Sequence, residues 1–155
     1  MVSDKIMRIA LASDHRGFKF KDFLAAILKE KGHEVVDFGT HSGDSCDYPD
    51  YTYPASVAVR SKNCDRAILI CYSGIGSAIV ANKVRGVRAA LVSNVKSAVL
   101  SRKHNDSNVL VLPSYMLTKE QAKRIVLSWL KAEFEGGRHA RRVSKIKDIE
   151  EKENV

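Results

Sequence analysis

The sequence predicts an α/β fold: a three-layer α/β/α sandwich around a five-stranded, mostly parallel, Rossmann-like sheet with an extra C-terminal helix. Three observations support this. Short apolar runs alternate with amphipathic segments, polar or glycine-containing clusters follow several runs, and every run is too short to span a membrane. The opening β-α-β order is the unit of a parallel sheet. We expect one domain over residues 1–155, because the sequence shows no repeats, linkers or low-complexity tracts.

The first half of the chain is predicted from apolar spacing and from turn residues. Strands are expected at residues 7–12, 34–38 and 67–71, and helices at residues 18–31, 54–60 and 77–83. The helix at 18–31 has apolar residues at the i, i+3, i+4 and i+7 positions of one face, and Gly32 follows it as a C-cap. Residues 39–53 predict a long polar loop of the kind that is usually functional or mobile.

The second half continues the alternation. Strands are expected at residues 88–92 and 109–112, and helices at residues 95–104, 118–134 and 138–152. Asn94 is placed to cap the helix that follows it, and Thr118 begins a capping box. The pair Gly136-Gly137 is expected to end the long helix and to begin a last, basic one.

The stretch from Ala67 to Ser77 is the most informative part of the sequence. A wholly apolar run leads into Cys71 and then into a turn with Gly74 and Gly76 at the start of a helical pattern. Unpaired N–H groups at a helix start favour an anion, or an oxygen that becomes negative during a reaction. The turn lacks the glycine pattern of a dinucleotide site and the Gly-Lys-Ser/Thr of a P-loop, so neither nucleotide class is expected. An ordinary tight turn is the competing interpretation.

The net charge of +8, from 26 Lys and Arg against 18 Asp and Glu, leaves the class of partner open. Much of the excess lies in residues 138–147, a segment without acidic or aromatic residues. Because the chain also lacks a nucleic-acid-binding motif, a solvated helix face is expected there rather than nucleic-acid binding. Neither a membrane span nor a secretory signal is expected.

The three cysteines, Cys46, Cys64 and Cys71, are an odd number without C-x-x-C spacing. This pattern argues against a disulfide framework and against a structural zinc site. We therefore expect a reduced, cytoplasmic protein without a bound metal.

Polar side chains at the ends of predicted elements are the candidates for chemistry. Cys71 lies at a strand end and a helix start, which favours a thiolate, and Ser73 could orient it; a buried small hydrophobe is the alternative. Asp14 and His15 follow the first strand, where open α/β sheets bind ligands, although Asp14 could instead cap a helix. His104 lies at a predicted helix end, where the dipole favours a cationic imidazole, although a C-cap motif explains it equally well.

Arg138 and Arg142 lie four residues apart on one predicted helical face. Like charges at that spacing repel unless an anion lies between them, and two guanidinium groups match the geometry of phosphate. A bare basic tail is the alternative. From the residues alone we expect one cleft with a cysteine, two histidines, an aspartate and these arginines, suited to acid–base chemistry on a small phosphorylated metabolite. The residues do not select the reaction.

Six motifs occur in order between residues 7 and 149. They are Ser13-Asp14-His15-Arg16-Gly17, Cys71-x-Ser73-Gly74-Ile75-Gly76, Ala81-Asn82-Lys83, Gly86-Val87-Arg88-Ala89, Ser101-Arg102-Lys103-His104-Asn105-Asp106 and Glu135-Gly136-Gly137-Arg138-His139. Together they resemble the type B ribose-5-phosphate isomerases, a family that includes allose- and galactose-6-phosphate isomerases. The resemblance implies a reversible isomerisation of ribose 5-phosphate and ribulose 5-phosphate. The ring opens first, and a proton then moves between C2 and C1 through a cis-enediolate, without metal or organic cofactor.

The resemblance also implies roles for the matching residues. Cys71 matches the base at C2, with Ser73 at the neighbouring hydroxyl position, and His104 matches the ring-opening histidine. The expected catalytic residues are Cys71, Ser73, His104 and Asp14. Sugar hydroxyls would be held by Asp14 and Asn105. The phosphate would be bound by His15, Arg138 and Arg142. The enediolate oxygen would be stabilised by backbone N–H groups of Gly74, Ile75, Gly76 and Ser77. Tyr48, in the polar loop, is also expected to contact the substrate.

Members of the family are dimers, sometimes tetramers, whose sites are built from two subunits. The resemblance therefore implies a homodimer or homotetramer in which the helix at about 138–152 reaches the partner's site. The family turn is commonly Cys-Gly-Thr-Gly, whereas this chain has Tyr72 in place of the first glycine. Tyr72 disfavours φ > 0 and either narrows the pocket or points away from it. Two alternatives stay open: a six-carbon sugar phosphate as substrate, and a catalytically silent or nucleic-acid-binding protein.

Overall fold

Residues 4–154 are described by a computed structural model of the chain. Within them, five strands alternate with six α-helices. The strands are β1 (Arg8–Ser13), β2 (Glu34–Asp37), β3 (Arg66–Cys71), β4 (Ala89–Leu91) and β5 (Val109–Pro113). The helices are α1 (Phe18–Glu30), α2 (Pro49–Arg60), α3 (Ile75–Asn82), α4 (Val95–Asn105), α5 (Lys119–Lys131) and α6 (Arg138–Glu153), with a 3-10 turn at Ser114–Met116. None of the helices in this part of the chain has the length and apolar character needed to cross a membrane.

The strands form one sheet in the order β2-β1-β3-β5-β4, and all four pairings are parallel. β3 lies at the centre, and its side chains from Ala67 to Cys71 are all buried. Helices cover a central parallel strand on both faces, which explains why its sequence is a continuous apolar run rather than an alternating one. The predicted α/β sandwich around a parallel, Rossmann-like sheet is confirmed.

Alternate residues of the strands face two separate cores. One core takes larger side chains, such as Ile9, Ile68 and Leu110, and packs them against α1, α4 and α5. The other takes smaller ones, such as Ala10 and Ala67, and packs them against α2 and α3. The small side chains let α2 and α3 lie close to the sheet, on the face that supports the predicted glycine turn.

The start of α2 differs from the sequence prediction. The helix begins at Pro49 rather than at Pro54, so the predicted loop over residues 39–53 is shorter and Tyr48 stands at the helix N-cap. Both prolines suit the first turn of a helix, because the missing N–H group has no partner to lose there. The sequence prediction placed the start at the wrong one of the two.

The end of α5 also differs from the prediction. The helix stops at Lys131, three residues early, and residues 132–137 follow a non-helical path. In this segment the N–H of Glu135 donates to the carbonyl oxygen of Lys103 at 3.1 Å, which ties the segment to α4. The remaining helix and strand boundaries agree with the sequence prediction to within two residues.

α1 packs directly onto the end of β3 at Gly17. A Cβ atom placed on Gly17 would lie 2.7 Å from the carbonyl oxygen of Ile70 and 2.9 Å from its Cγ2. The φ angle of Gly17 is −99°, which any residue adopts, so the requirement for glycine comes from lack of space. This contact holds the β1–α1 loop against the strand that carries Cys71.

Gly17→Ala is therefore expected to lower the free energy of unfolding by about 1–3 kcal/mol, because the new methyl group meets strand backbone that cannot yield. Gly43→Ala is the matched control. Gly43 is exposed and its added Cβ would meet only the ring edge of Phe18, at 3.3 Å, so a change within about 0.5 kcal/mol is expected. Urea unfolding followed by circular dichroism measures both, and equal effects of the two substitutions would contradict the packing argument.

Candidate active site

The predicted site residues lie at two opposite edges of the sheet. The loops after β1 and β3 lie at the carboxyl edge, whereas the end of α4 returns to the amino edge. There, the N–H of Ala67 at the start of β3 donates to the Asn108 carbonyl at 3.2 Å. Arg88, just before β4, donates through Nε to the Asn105 carbonyl at 3.1 Å. The length of β3, roughly 16 Å, separates the two edges.

One chain therefore does not form the single cleft expected from the residues. It presents two groups of residues, which we call the carboxyl half-site and the amino half-site. The carboxyl half-site contains Asp14, His15, Tyr48, Cys71, Ser73, Gly74, Ile75, Gly76 and Ser77. The amino half-site contains His104, Asn105, Arg138 and Arg142. The correction follows from the topology, because a helix that joins two parallel strands starts at one edge of the sheet and ends at the other.

The turn after β3 holds the Cys71 thiol among backbone donors. Cys71 is 4% exposed, and the N–H of Gly74 donates to its Sγ at 3.1 Å. The next N–H, of Ile75, donates to Ser73 Oγ at 3.3 Å. Gly74 has φ of 76°, in the left-handed region that favours glycine. These contacts hold the Cys71 sulfur at the start of α3, in the turn where the sequence placed a base.

Two of the four predicted oxyanion donors remain unpaired. The N–H groups of Gly76 and Ser77, in the first turn of α3, have no hydrogen-bond partner among residues 4–154. The Ser77 hydroxyl is buried and lies 3.0 Å from the Thr52 hydroxyl oxygen. Only the backbone N–H of Ser77 is therefore available to a ligand. A Cβ on Gly76 would lie 2.4 Å from the Tyr48 ring, so glycine at this position is what lets Tyr48 lie over the turn.

Asp14 joins the two loops of the carboxyl edge. Its Oδ1 accepts from the N–H groups of Arg16 and Gly17, at 3.0 and 2.7 Å, and its Oδ2 accepts from the N–H of Tyr72 at 3.2 Å. Asp14 is 8% exposed. The carboxylate thus fixes the loop after β1 beside the turn that carries Cys71, which is more than the helix-capping role considered from the sequence.

His15 contacts a residue that the sequence analysis did not place in the site. Its Nδ1 accepts the N–H of Cys46 at 3.3 Å and lies 3.8 Å from the Cys46 sulfur. When Nδ1 accepts, the proton of a neutral imidazole is on Nε2, so the outer nitrogen of His15 is a donor. In the sequence, Cys46 is only a cysteine in a polar loop, and nothing in its spacing indicates a contact with His15, 31 residues earlier.

Tyr72 replaces a glycine of the family turn without backbone strain. It is not among the residues between 4 and 154 that have a positive φ angle. The residue is 48% exposed. The ring lies 5.3 Å from that of Tyr115, centroid to centroid, and the Arg16 guanidinium lies 4.6 Å above the Tyr72 ring. Tyr72 therefore stands at the rim of the carboxyl half-site, packed between two other surface side chains.

A hydrogen-bond network fixes the turn that carries His104 and Asn105. Asp106, at φ of 48°, accepts from Arg102 Nη1 at 2.8 Å and from Arg88 Nη2 at 3.1 Å. Arg102 also donates to the Ser107 carbonyl. Burial lowers the pKa of Arg102, and its bond to Asp106 opposes that shift. The end of α4 is therefore a rigid platform for the amino half-site.

α6 runs along the same edge and brings the predicted arginines there. Arg138 and Arg142 are exposed in its first two turns. Near the other end, Glu150 accepts the N–H of Gly86 at 3.1 Å, which holds α6 beside the loop that leads into β4.

Comparison with known proteins identifies the family, because residues 9–146 match the family described as Ribose/Galactose Isomerase. This chain belongs to that family. Ribose-5-phosphate isomerase B of Escherichia coli strain K12 is 47% identical over 147 residues, 95% of this chain and 99% of that protein. The structure of Clostridium thermocellum ribose-5-phosphate isomerase B is 51% identical with a TM-score of 0.93, covering 94% of this chain and 99% of the other. Mycoplasma genitalium ribose-5-phosphate isomerase B, solved with bound ribulose-5-phosphate, is 44% identical with a TM-score of 0.90, covering 93% and 96%.

In this member of the isomerase family, sequence reasoning missed one residue of the amino edge. His139, 6% exposed, stacks on His104 with centroids 4.2 Å apart and rings 11° from parallel. Its Nε2 lies 3.7 Å from Glu135 Oε2. The two imidazoles and the carboxylate offer ligand atoms within 4.8 Å of one another. In-plane lone pairs of two parallel rings do not converge on one ion, so the stack and the ion pair describe this cluster better than a metal site.

Burial lowers the pKa of His139, and the nearby charges of His104, Arg138 and Arg142 lower it further, while Glu135 raises it. The unfolded chain therefore binds this proton more readily than the folded one. The contribution of His139 to the free energy of unfolding is therefore complete above the pKa of the unfolded histidine, near 6.5. It is lost as the pH drops below that value, because the unfolded state then takes up the proton.

We expect the melting temperature to fall between pH 7 and pH 5, and His139→Asn to make that fall smaller. Scanning calorimetry across this range measures both. The control is His41→Asn, because the His41 side chain is 71% exposed whereas that of His139 is 8% exposed, and the His41 contact with Asp37 is long, at 3.9 Å. A pH dependence that is the same in wild type and His139→Asn would contradict the assignment.

Proposed function

We propose that this protein interconverts D-ribose 5-phosphate and D-ribulose 5-phosphate. The names of its relatives support this substrate over a six-carbon sugar phosphate, and one relative was solved with ribulose-5-phosphate. The observation that carries the proposal is the turn after β3. It holds a buried thiol that accepts the Gly74 N–H at 3.1 Å, beside two N–H groups in the first turn of α3 that have no partner among residues 4–154.

This arrangement fits proton transfer through an enediolate. The Cys71 thiolate takes the proton from C2 of the open-chain aldose. The electron pair of the C2–H bond forms the C1=C2 double bond, and the negative charge moves onto O1. The N–H groups of Gly76 and Ser77 stabilise that oxygen. The proton on O2 passes to O1, which leaves the negative charge on O2. The thiol then returns its proton to C1, and an electron pair of O2 forms the C2 carbonyl of the ketose.

Other residues prepare and hold the substrate. His104 acts as acid and base in ring opening, and Asn105 holds a hydroxyl group. Asp14 has its two oxygens bound to backbone N–H groups, so we assign it a positioning role toward the Cys71 turn in addition to a hydroxyl contact. The proposed phosphate ligands are His15, Arg138 and Arg142.

The site requires two copies of the chain, because the carboxyl and amino half-sites of one copy lie a strand length apart. We propose a homodimer in which α6 of one copy reaches the carboxyl half-site of the other. An exposed apolar surface beside that half-site is consistent with such contact. It consists of Ile75, Ile79, Leu91 and Val95, which are 56%, 57%, 41% and 39% exposed.

We also infer a single catalytic domain and a reducing, cytoplasmic environment. The support is one sheet shared by both half-sites and three free cysteines, including the thiol at the proposed catalytic position.

The test is an isomerase assay on ribose 5-phosphate after exhaustive chelation, with allose and galactose 6-phosphates as comparison substrates. The wild type is expected to prefer the pentose phosphate. Cys71→Ala should lower kcat/KM by about 10³-fold, the contribution of a general base.

Cys64→Ala is the matched control, because Cys64 is also a buried free cysteine but packs beside the end of α2, where its N–H donates to the Ala58 carbonyl at 2.9 Å, and contacts no residue of either half-site. It should retain activity within about twofold, as expected of a residue outside the site. Wild-type turnover by Cys71→Ala would contradict the assigned base, and a higher kcat/KM on a hexose phosphate would contradict the substrate.

A further inference from the structure

Arg16 is a cation at the carboxyl edge that pairs with no acidic side chain among residues 4–154. Its side chain is exposed and forms no salt bridge with residues 4–154. Within the same range its guanidinium also donates no hydrogen bond, although its backbone N–H does. An unpaired guanidinium beside a ligand-binding edge has all of its donors available.

The surrounding residues fix where that charge stands. The guanidinium lies 4.6 Å above the Tyr72 ring, and the Tyr72 ring is packed against Tyr115 at 5.3 Å. In addition, the backbone N–H groups of Arg16 and Tyr72 bind the two oxygens of the same Asp14 carboxylate, at 3.0 and 3.2 Å. Contacts at both the backbone and the side chain thus hold Arg16 next to the turn that follows β3.

The position also suits an anion. Arg16 follows His15 directly, in the loop before α1, which begins at Phe18. The Asp14 carboxylate already meets the start of α1, so the charge that a further anion finds in this loop is that of the Arg16 guanidinium. A guanidinium stacked on an aromatic face keeps its N–H edge free for a bidentate contact with a phosphoryl group. In a pentose phosphate, the phosphoryl group carries the only formal charge, so it is the part of the substrate that an unpaired cation recognises.

We propose that Arg16 is a further binding residue for the substrate's phosphoryl group, and that Tyr72 and Tyr115 are positioning residues that hold it. The proposal rests on the proposed function and adds a carboxyl-edge cation to the ligands His15, Arg138 and Arg142. It also gives Tyr72 a role: its ring is the surface on which the guanidinium is oriented. Arg16 thus gives the carboxyl half-site a positive charge from its own chain, in addition to the arginines that a partner copy would contribute.

The test compares Arg16→Ala with wild type in steady-state kinetics on ribose 5-phosphate, with inorganic phosphate as a competitive inhibitor. Loss of one charge-assisted contact should raise both KM and the inhibition constant of phosphate by about tenfold, with kcat within about twofold. Tyr72→Ala should raise both constants by about threefold. Tyr72→Phe keeps the aromatic face, so both constants should stay at their wild-type values.

Lys19→Ala is the control for net charge, since Lys19 is an exposed cation on the first turn of α1. It should leave KM and the phosphate inhibition constant unchanged. The proposal is overturned if Arg16→Ala leaves both constants unchanged, if it lowers kcat alone, or if Lys19→Ala has the same effect as Arg16→Ala.

Titration calorimetry with inorganic phosphate separates this proposal from the proposed function. If the wild type does not isomerise pentose phosphates, the proposed function fails. Phosphate binding that is about tenfold weaker in Arg16→Ala still supports the binding role, whereas equal binding rejects it.

Discussion

The parallel sheet is the constraint on which the rest of this molecule depends. Two parallel neighbours can be joined only if the chain crosses back from the carboxyl edge to the amino edge, and here helices make each crossing. The start of α3 therefore lies beside Cys71, at the carboxyl edge. The end of α4, with His104, lies at the amino edge, and α6 follows it there. A site that needs both groups of residues cannot be completed within one chain.

Within the carboxyl half-site, backbone N–H groups carry most of the organisation. Three bind the Asp14 carboxylate and one binds the Cys71 sulfur, while two at the start of α3 have no partner within the described range, 4–154. The three N–H groups hold the Asp14 carboxylate in one orientation between the two loops. Gly74 supplies the left-handed residue at the start of α3, so the fold itself places the proposed base beside the proposed oxyanion donors.

Much of this could be predicted from the sequence because it is local. The apolar run before Cys71, the Thr118 capping box and the amphipathic α1 are read from neighbouring residues, and all three are present in the structure. The separation of His104 from Cys71 also follows from the predicted element order, because a helix between two parallel strands ends at the amino edge, yet the sequence prediction placed both residues in one cleft. The start of α2 was predicted at Pro54 but lies at Pro49. Proline is favoured at the first position of a helix, and this local preference does not distinguish the two residues.

Long-range contacts account for what the sequence did not reveal. Lys21 lies in a helix with a clear apolar face, yet it is fully buried, and its Nζ bonds to Asp37 on β2 at 2.7 Å. The stack of His139 on His104 joins residues of α6 and α4, and the Arg16–Tyr72 contact joins two loops. Nothing in the spacing of either pair marks them as neighbours, because each contact exists only after the sheet has assembled.

The central claim is that each site combines the carboxyl half-site of one copy with the amino half-site of another. Complementation between two inactive variants tests it most directly. Cys71→Ala and His104→Ala are co-expressed with different tags, and the mixed dimer is purified through both. One of its two sites then contains both substitutions and the other contains neither, so the mixed dimer should recover about half of the wild-type activity. A mixed dimer that is no more active than either parent variant would contradict the shared site.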